Sequence, residues 1–206
     1  MSIDSDTNRE LLIKKFIALG ILCALVVFGW GFYERNQSKE MSRLANKLYD
    51  FEQSVVSELE KGTTTGSVVV ERLSKLIDSS STPIVALSLG LKINDILLSK
   101  QDYAASKALL IKLEKINNDQ IAQQVILPRL AVVFEELGED TKAVEYLEKN
   151  LTLKNTLLQD KTYFDLGRLY LKAGNKEKAK SSMDYVVEKS KNKELVKLAK
   201  FFLGKL

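Results

Sequence analysis

Four carboxylates crowd one short stretch of the chain: Glu135, Glu136, Glu139 and Asp140. Acids this close are the raw material of proton transfer or of a hard-cation site. Here they straddle the end of a helical pattern and a turn at 138–140, where charges are ordinarily solvated. Other catalytic equipment is missing. With no histidine, every His-dependent triad and Cys/His zinc site is excluded, and the single cysteine, Cys23, sits in an apolar run as a packing or lipid-facing residue. Glycine-rich phosphate loops, Asp/Asn-rich calcium loops and Ser-x-x-Lys motifs do not occur. No enzymatic activity, metal or cofactor is expected, which leaves recognition of other proteins.

Composition agrees with a folded, helix-rich chain. Its 206 residues include two prolines and ten glycines, and a net charge of +4 is too mild to argue for nucleic acid. The basic excess is local: residues 176–206 hold nine lysines against Glu177, Asp184, Glu188 and Glu194. Because lysine alternates there with glutamate and few aromatics flank it, this end reads as a solvated helix face rather than a lipid or nucleic-acid surface.

Residues 16–33 (FIALGILCALVVFGWGFY) carry no charge over eighteen positions. As a helix they span roughly 27 Å, close to the ~30 Å hydrocarbon core. Lys14 and Lys15 would snorkel ahead of Phe16, and Trp30 and Tyr33 would form the aromatic belt at the far end. A cleaved signal peptide needs a small-x-small exit that is lacking before Glu34, and a lipoprotein needs a small residue where Leu22 precedes Cys23. An uncleaved single transmembrane helix is the expectation. Flanking charge is nearly tied, Arg9, Lys14 and Lys15 against Arg35, Lys39, Arg43 and Lys47, with the two nearest lysines favouring a cytoplasmic N-terminus.

Beyond the membrane segment the apolar spacing is helical throughout. Leu44, Leu48, Phe51, Val55 and Leu59 continue the first helix to a break at 62–66. Ser67 reads as the N-cap of a second helix with Val69, Leu73, Leu76 and Ile77 on one face. Serines 79–81 form a loop, and Thr82-Pro83 reads as a cap followed by an N1 proline. Three helix pairs follow, turning at 100–102, 138–140 and 173–175, and residues 194–203 read as a closing helix. Pro128 reads as a first-turn proline of its helix.

The pattern Tyr163, Leu166-Gly167, Tyr170, Ala179, Met183 resembles a tetratricopeptide repeat, in which small residues at Gly167 and Ala179 let paired helices approach closely. Leu127, Leu130-Ala131, Phe134, Ala143 and Leu147 fill the same slots in the middle unit, while the first has Asn94 and Ser106 in the small slots. The expected fold is therefore all-α: a transmembrane helix, then a tetratricopeptide-like solenoid of helical hairpins with a C-terminal capping helix. Its segments are a cytoplasmic head at 1–15, the span at 16–33, a long helix plus hairpin at 34–81, and repeats with the cap at 82–206. In that frame Leu91, Asp95 and Leu98, then Val125, Val132, Glu135 and Glu136, then Lys161, Phe164, Arg168 and Lys172 face a concave partner-binding groove running from apolar and acidic to basic.

The whole layout, and most of all Ala86-Leu-Ser-Leu through the stretch from Lys100 to Leu109, is similar to the YfgM-like family of Gram-negative inner-membrane proteins, ancillary subunits of the Sec translocon. The resemblance implies a periplasmic repeat domain beside a PpiD-type membrane-anchored chaperone, helping to hand over newly translocated, unfolded secreted proteins. It carries no catalytic residues. Two other readings remain: a structural scaffold of an envelope complex, and a membrane-bound regulator that sequesters a signalling protein.

Overall fold

The computed structural model describes residues 4–78 and 86–206, with the backbone alone for residues 4–24 and Glu40. Every element among the described residues is helical. They fall into two compact units, residues 1–47 and 48–206.

The first unit is most of one helix, α1 (Asp4–Phe51). Among the described residues no helix is long and apolar enough to cross a membrane. The span expected at 16–33 falls only partly among them, since side chains are described from Leu25 onward. Trp30 and Tyr33 are exposed on α1, and the Tyr33 hydroxyl accepts a bond from Gln37 Nε2 at 2.9 Å. The anchor side chains expected at Lys14, Lys15 and Phe16 lie outside the described residues, as does Cys23.

In the second unit Leu48, Phe51, Val55 and Leu59 are buried, as their three-four spacing predicts. The helix does not run on unbroken, however. Glu52–Val56 forms a π-helical turn before α2 (Ser57–Lys61), and the wider turn brings both Val55 and Val56 to the buried side. Gly62, with φ of 75°, closes α2 in the left-handed conformation that glycine adopts without strain.

The valine cluster at 68–70 is helical, within α3 (Gly66–Asp78). Ser67 lies inside that helix rather than capping it: the first helical bond runs from Val69 N–H to the Thr65 carbonyl at 3.2 Å. The early start follows from packing. A Cβ at Gly66 would lie 2.5 Å from Leu97 Cδ2 and 2.9 Å from Ala105 Cβ, so only glycine lets α3 settle this closely. The serine loop at 79–81 and the Thr82-Pro83 start lie outside the described residues.

Three hairpins follow, α4/α5 (Ala86–Ser99, Tyr103–Ile116), α6/α7 (Gln120–Glu136, Asp140–Leu151) and α8/α9 (Gln159–Lys172, Lys176–Lys189). Their turns are built alike. Gln101, Gly138 and Gly174 all take positive φ, and the following residue returns its N–H to Leu97, Phe134 or Tyr170 at 2.8–2.9 Å. Asp102 and Asn175 then cap the next helix through Ala105 N–H and Lys178 N–H, each at 3.1 Å. Asp119 and Asn192 cap α6 and the last helix, α10 (Lys193–Leu203), in the same manner.

The slots recur at steps of 37 and 36 residues: Asn94, Ala131 and Gly167 on the first helix of each pair, Ser106, Ala143 and Ala179 on the second, all buried. In the first hairpin the slot of Leu127 and Tyr163 is Gly90, whose missing side chain is replaced by Leu113: a Cβ there would come within 2.8 Å of Leu113 Cδ1. Pro128 lies well inside α6, eight residues beyond its start, and not in a first turn. It removes a backbone donor there, and Arg129 Nη1 donates to the Val125 carbonyl at 3.2 Å beside the gap.

The stack ends with α10 (Lys193–Leu203). It buries Ala199 against Met183 and Val186, with Phe164, Leu195 and Phe202 around them.

A candidate binding cleft between α6 and α8

The acidic stretch does not converge on one point. Glu135 takes a two-pronged bond from Arg168, 2.8 Å on the Nη2–Oε2 arm. Glu136 accepts from the Tyr103 hydroxyl, and burial together with that bond raises the tyrosine's pKa. Glu139 holds Lys107 at 2.8 Å and Lys142 at 2.5 Å, and Asp140 holds Lys172 at 2.8 Å. Arg168 keeps the Glu135 carboxyl below the ordinary glutamate value, and Lys107 and Lys142 do the same for Glu139. The four acids are held by five separate partners, Arg168, Tyr103, Lys107, Lys142 and Lys172, rather than by one another. Among the described residues no group of acids and cysteines is arranged to hold a metal ion.

The same pairing absorbs most of the charge predicted for the groove. Asp95 faces Arg129 at 3.6 Å, and Glu135 faces Arg168, so the first helices of successive hairpins are joined acid to base. The second helices repeat this, with Asp78 on Lys112, Glu114 on Lys149 and Glu148 near Lys178. In each of these seams the acid belongs to the earlier element and the base to the later one; Lys107 with Glu139 runs the other way. Phe164 is half-buried, its ring edge-on to Phe202 of α10 at 5.7 Å. Leu91 and Leu98 are half-buried on α4.

One stretch of the predicted groove stays open. Between α6 and α8 lies a cleft of about 280 Å³, with Val125, Pro128 and Val132 on one wall and Lys161, Thr162 and Asp165 on the other. Val132 is 43% exposed within it, and Leu157 and Leu158 stand at its rim, 54% and 70% exposed. Arg129 and a Lys161–Asp165 pair at 2.6 Å give it a charged margin. An apolar floor with a few polar groups at the edge suits a short apolar segment of another chain.

The two leucines are held exposed by the connection that carries them. The 152–158 connection is longer than the three-residue joints between the other helices from α4 to α10 and is fastened to α6: Gln124 Nε2 donates to the Lys154 carbonyl at 3.0 Å, and Gln124 Oε1 accepts from Leu157 N–H at 2.9 Å. Thr156 Oγ1 donates back to Leu153 O at 2.9 Å. Leu158 has φ of 52°, a left-handed conformation that costs a leucine about 1–2 kcal/mol. The connection thus holds a strained, exposed leucine beside the cleft. Sequence periodicity could not find it, because the residues lie outside the helical pattern; the exposed leucine pair in a polar connection was the available signal.

The tetratricopeptide repeat family matches residues 160–188, which cover α8 and α9 almost entirely. No curated protein matches the chain. The chain is an all-α helical-repeat protein carrying a tetratricopeptide repeat, and the two preceding hairpins share that repeat's slots.

Proposed function

We propose that this protein is a membrane-tethered, non-enzymatic co-chaperone or adaptor that holds partner or newly translocated chains in the α6–α8 cleft. The observation that carries the reading is the cleft with exposed Val132, Leu157 and Leu158 beside a tetratricopeptide repeat, an architecture that recognises proteins. The uncharged run at 16–33 supports a single-pass anchor with the N-terminus in the cytoplasm and the repeats in the periplasm of a bacterial inner membrane. The resemblance to YfgM-like proteins supports the Sec translocon and a PpiD-type chaperone as neighbours. Tethering raises the effective concentration of segments emerging nearby, so micromolar contacts suffice.

A photo-crosslinking residue placed at Leu158 of the full-length protein in intact membranes tests this. The expected result is a set of adducts with translocon components and secreted chains, weakened by Val132→Asp and absent when the same probe replaces Glu145. A single stoichiometric adduct indicates the scaffold alternative, and a transcriptional regulator as the adduct indicates sequestration. Release of the protein from membranes by alkaline washing without detergent sinks the tether.

A further inference from the structure

We infer that the outward face of α10 is a docking surface for anionic lipid headgroups. One side of this helix is spent on the core, where Ala199 is buried. At 100° per residue the opposite side carries Phe201 at its centre, 57% exposed, with Leu198 one turn back at 47%. Lys193, Lys197, Lys200 and Lys205 surround them, all exposed, and Glu194 at the first turn is the one acid on the helix. Lys205 Nζ sits 4.2 Å from the Phe201 ring centroid, leaving the ring apolar at its face and cationic at its margin.

Charge complementarity selects the partner. In the seams between hairpins, bases of the later element meet acids of the earlier one. The face of α10 that a further element would meet is basic instead, and among the described residues Lys193, Lys197 and Lys200 make no ion pair. Another hairpin of this kind finds only Glu194, at the helix start, among three lysines, and a second copy of the same face meets mostly like charge. An anionic partner fits. The chain has no arginine after Arg168, so this face lacks the planar forks that recognise individual carboxylates; it offers mobile ammonium groups around an apolar pair. That combination suits a headgroup layer, into which the ring and the leucine dip while the lysines snorkel. The inference does not depend on the anchor at 16–33.

The test uses the full-length chain with Trp30→Phe and Phe201→Trp, so that position 201 carries the only tryptophan. It is mixed with vesicles of phosphatidylcholine, or of equal parts phosphatidylcholine and phosphatidylglycerol, each containing brominated lipid. Quenching of the tryptophan by bromine in phosphatidylglycerol vesicles but not in neutral ones, reversed by high salt, is the expected result. Replacing Lys197, Lys200 and Lys205 by glutamine should weaken this contact about 100-fold. Absence of quenching, equal quenching in both vesicles, or loss of the quenching on adding stoichiometric polyglutamate overturns the inference, the last in favour of an acidic protein segment. Hydrogen exchange of α10 in the unsubstituted protein gives a second reading, with slower exchange expected only on phosphatidylglycerol. Co-flotation with neutral vesicles reports the anchor separately, so the two can fail independently.

Discussion

The Ser106 hydroxyl donates to Asn94 Oδ1 at 2.6 Å, joining α4 and α5 at the two slots that the third hairpin fills with Gly167 and Ala179. Both residues are fully buried. The first repeat thus ties these two slots with a hydrogen bond, whereas in the third the Met183 side chain packs against Gly167.

Removing both partners is predicted to cost much less than the two single losses together. Ser106→Ala leaves the buried Asn94 carbonyl unpaired beside an amide nitrogen that already lacks a partner, a loss of about 1–3 kcal/mol. Asn94→Ala with Ser106→Ala should lose much less than the two single losses added together. Thermal unfolding followed by circular dichroism across the four variants reads the coupling, and strict additivity would refute it.

Acid should loosen the seam between α6 and α8. Glu135 has its pKa lowered in the folded state by Arg168, so its stabilising contribution is present above the unfolded-state glutamate value, 4.5, and is lost as pH falls through the lower folded value. Glu139 behaves the same way through Lys107 and Lys142. Glu135→Gln is expected to cost about 1–2 kcal/mol at pH 7 and progressively less as the pH drops below 4.5. A constant difference between variant and parent across that range would contradict the assignment.

The two buried small-residue contacts should differ in tolerance. A methyl group at Gly66 would meet Ala105 Cβ at 2.9 Å, an atom fixed to its helix, whereas one at Gly167 would meet Met183 Cε at 2.8 Å, the end of a flexible chain. Gly66→Ala is predicted to destabilise by about 3 kcal/mol and Gly167→Ala by about 1 kcal/mol. Denaturant midpoints of the two variants check the order.

Gln101 occupies the left-handed turn position that Gly138 and Gly174 take in the later hairpins, with φ of 58°. Gln101→Gly removes the side-chain strain and is expected to raise stability by about 0.5–1 kcal/mol after the extra freedom of glycine in the unfolded chain is subtracted. A fall in melting temperature would argue against the strain.

Much of this arrangement was legible in the sequence because it is local. The slots at Ala131 and Ala143 or Gly167 and Ala179, and the turns at 100–102, 138–140 and 173–175, each follow from spacing within a few turns of helix. What escaped depends on how distant residues meet. Ser67 has the residue type of a cap, but the packing of Gly66 against Ala105 of α5 starts the helix before it. Pro128 looked like a helix start because its neighbours hid how far upstream α6 begins, at Gln120. The π-helical turn answers to the joint burial of Val55 and Val56, which no regular period encodes. For the cleft, the repeat frame puts Val132, Lys161, Glu135 and Arg168 on the groove, but it does not show that Arg168 and Glu135 pair with each other. Their mutual bond spans 33 residues of sequence and depends on the register of α6 against α8.

The acid-before-base order of the seams makes each hairpin a tile with a direction. Glu114 and Glu135 hang on the trailing edge of one hairpin or the next, where Lys149 and Arg168 wait on the leading edge of its successor. A duplicated tile inserted in the same sense would find opposite charge on both of its sides, while one inserted back to front would set like against like. Lengthening by tandem copying is therefore built into the pattern, and inversion is penalised.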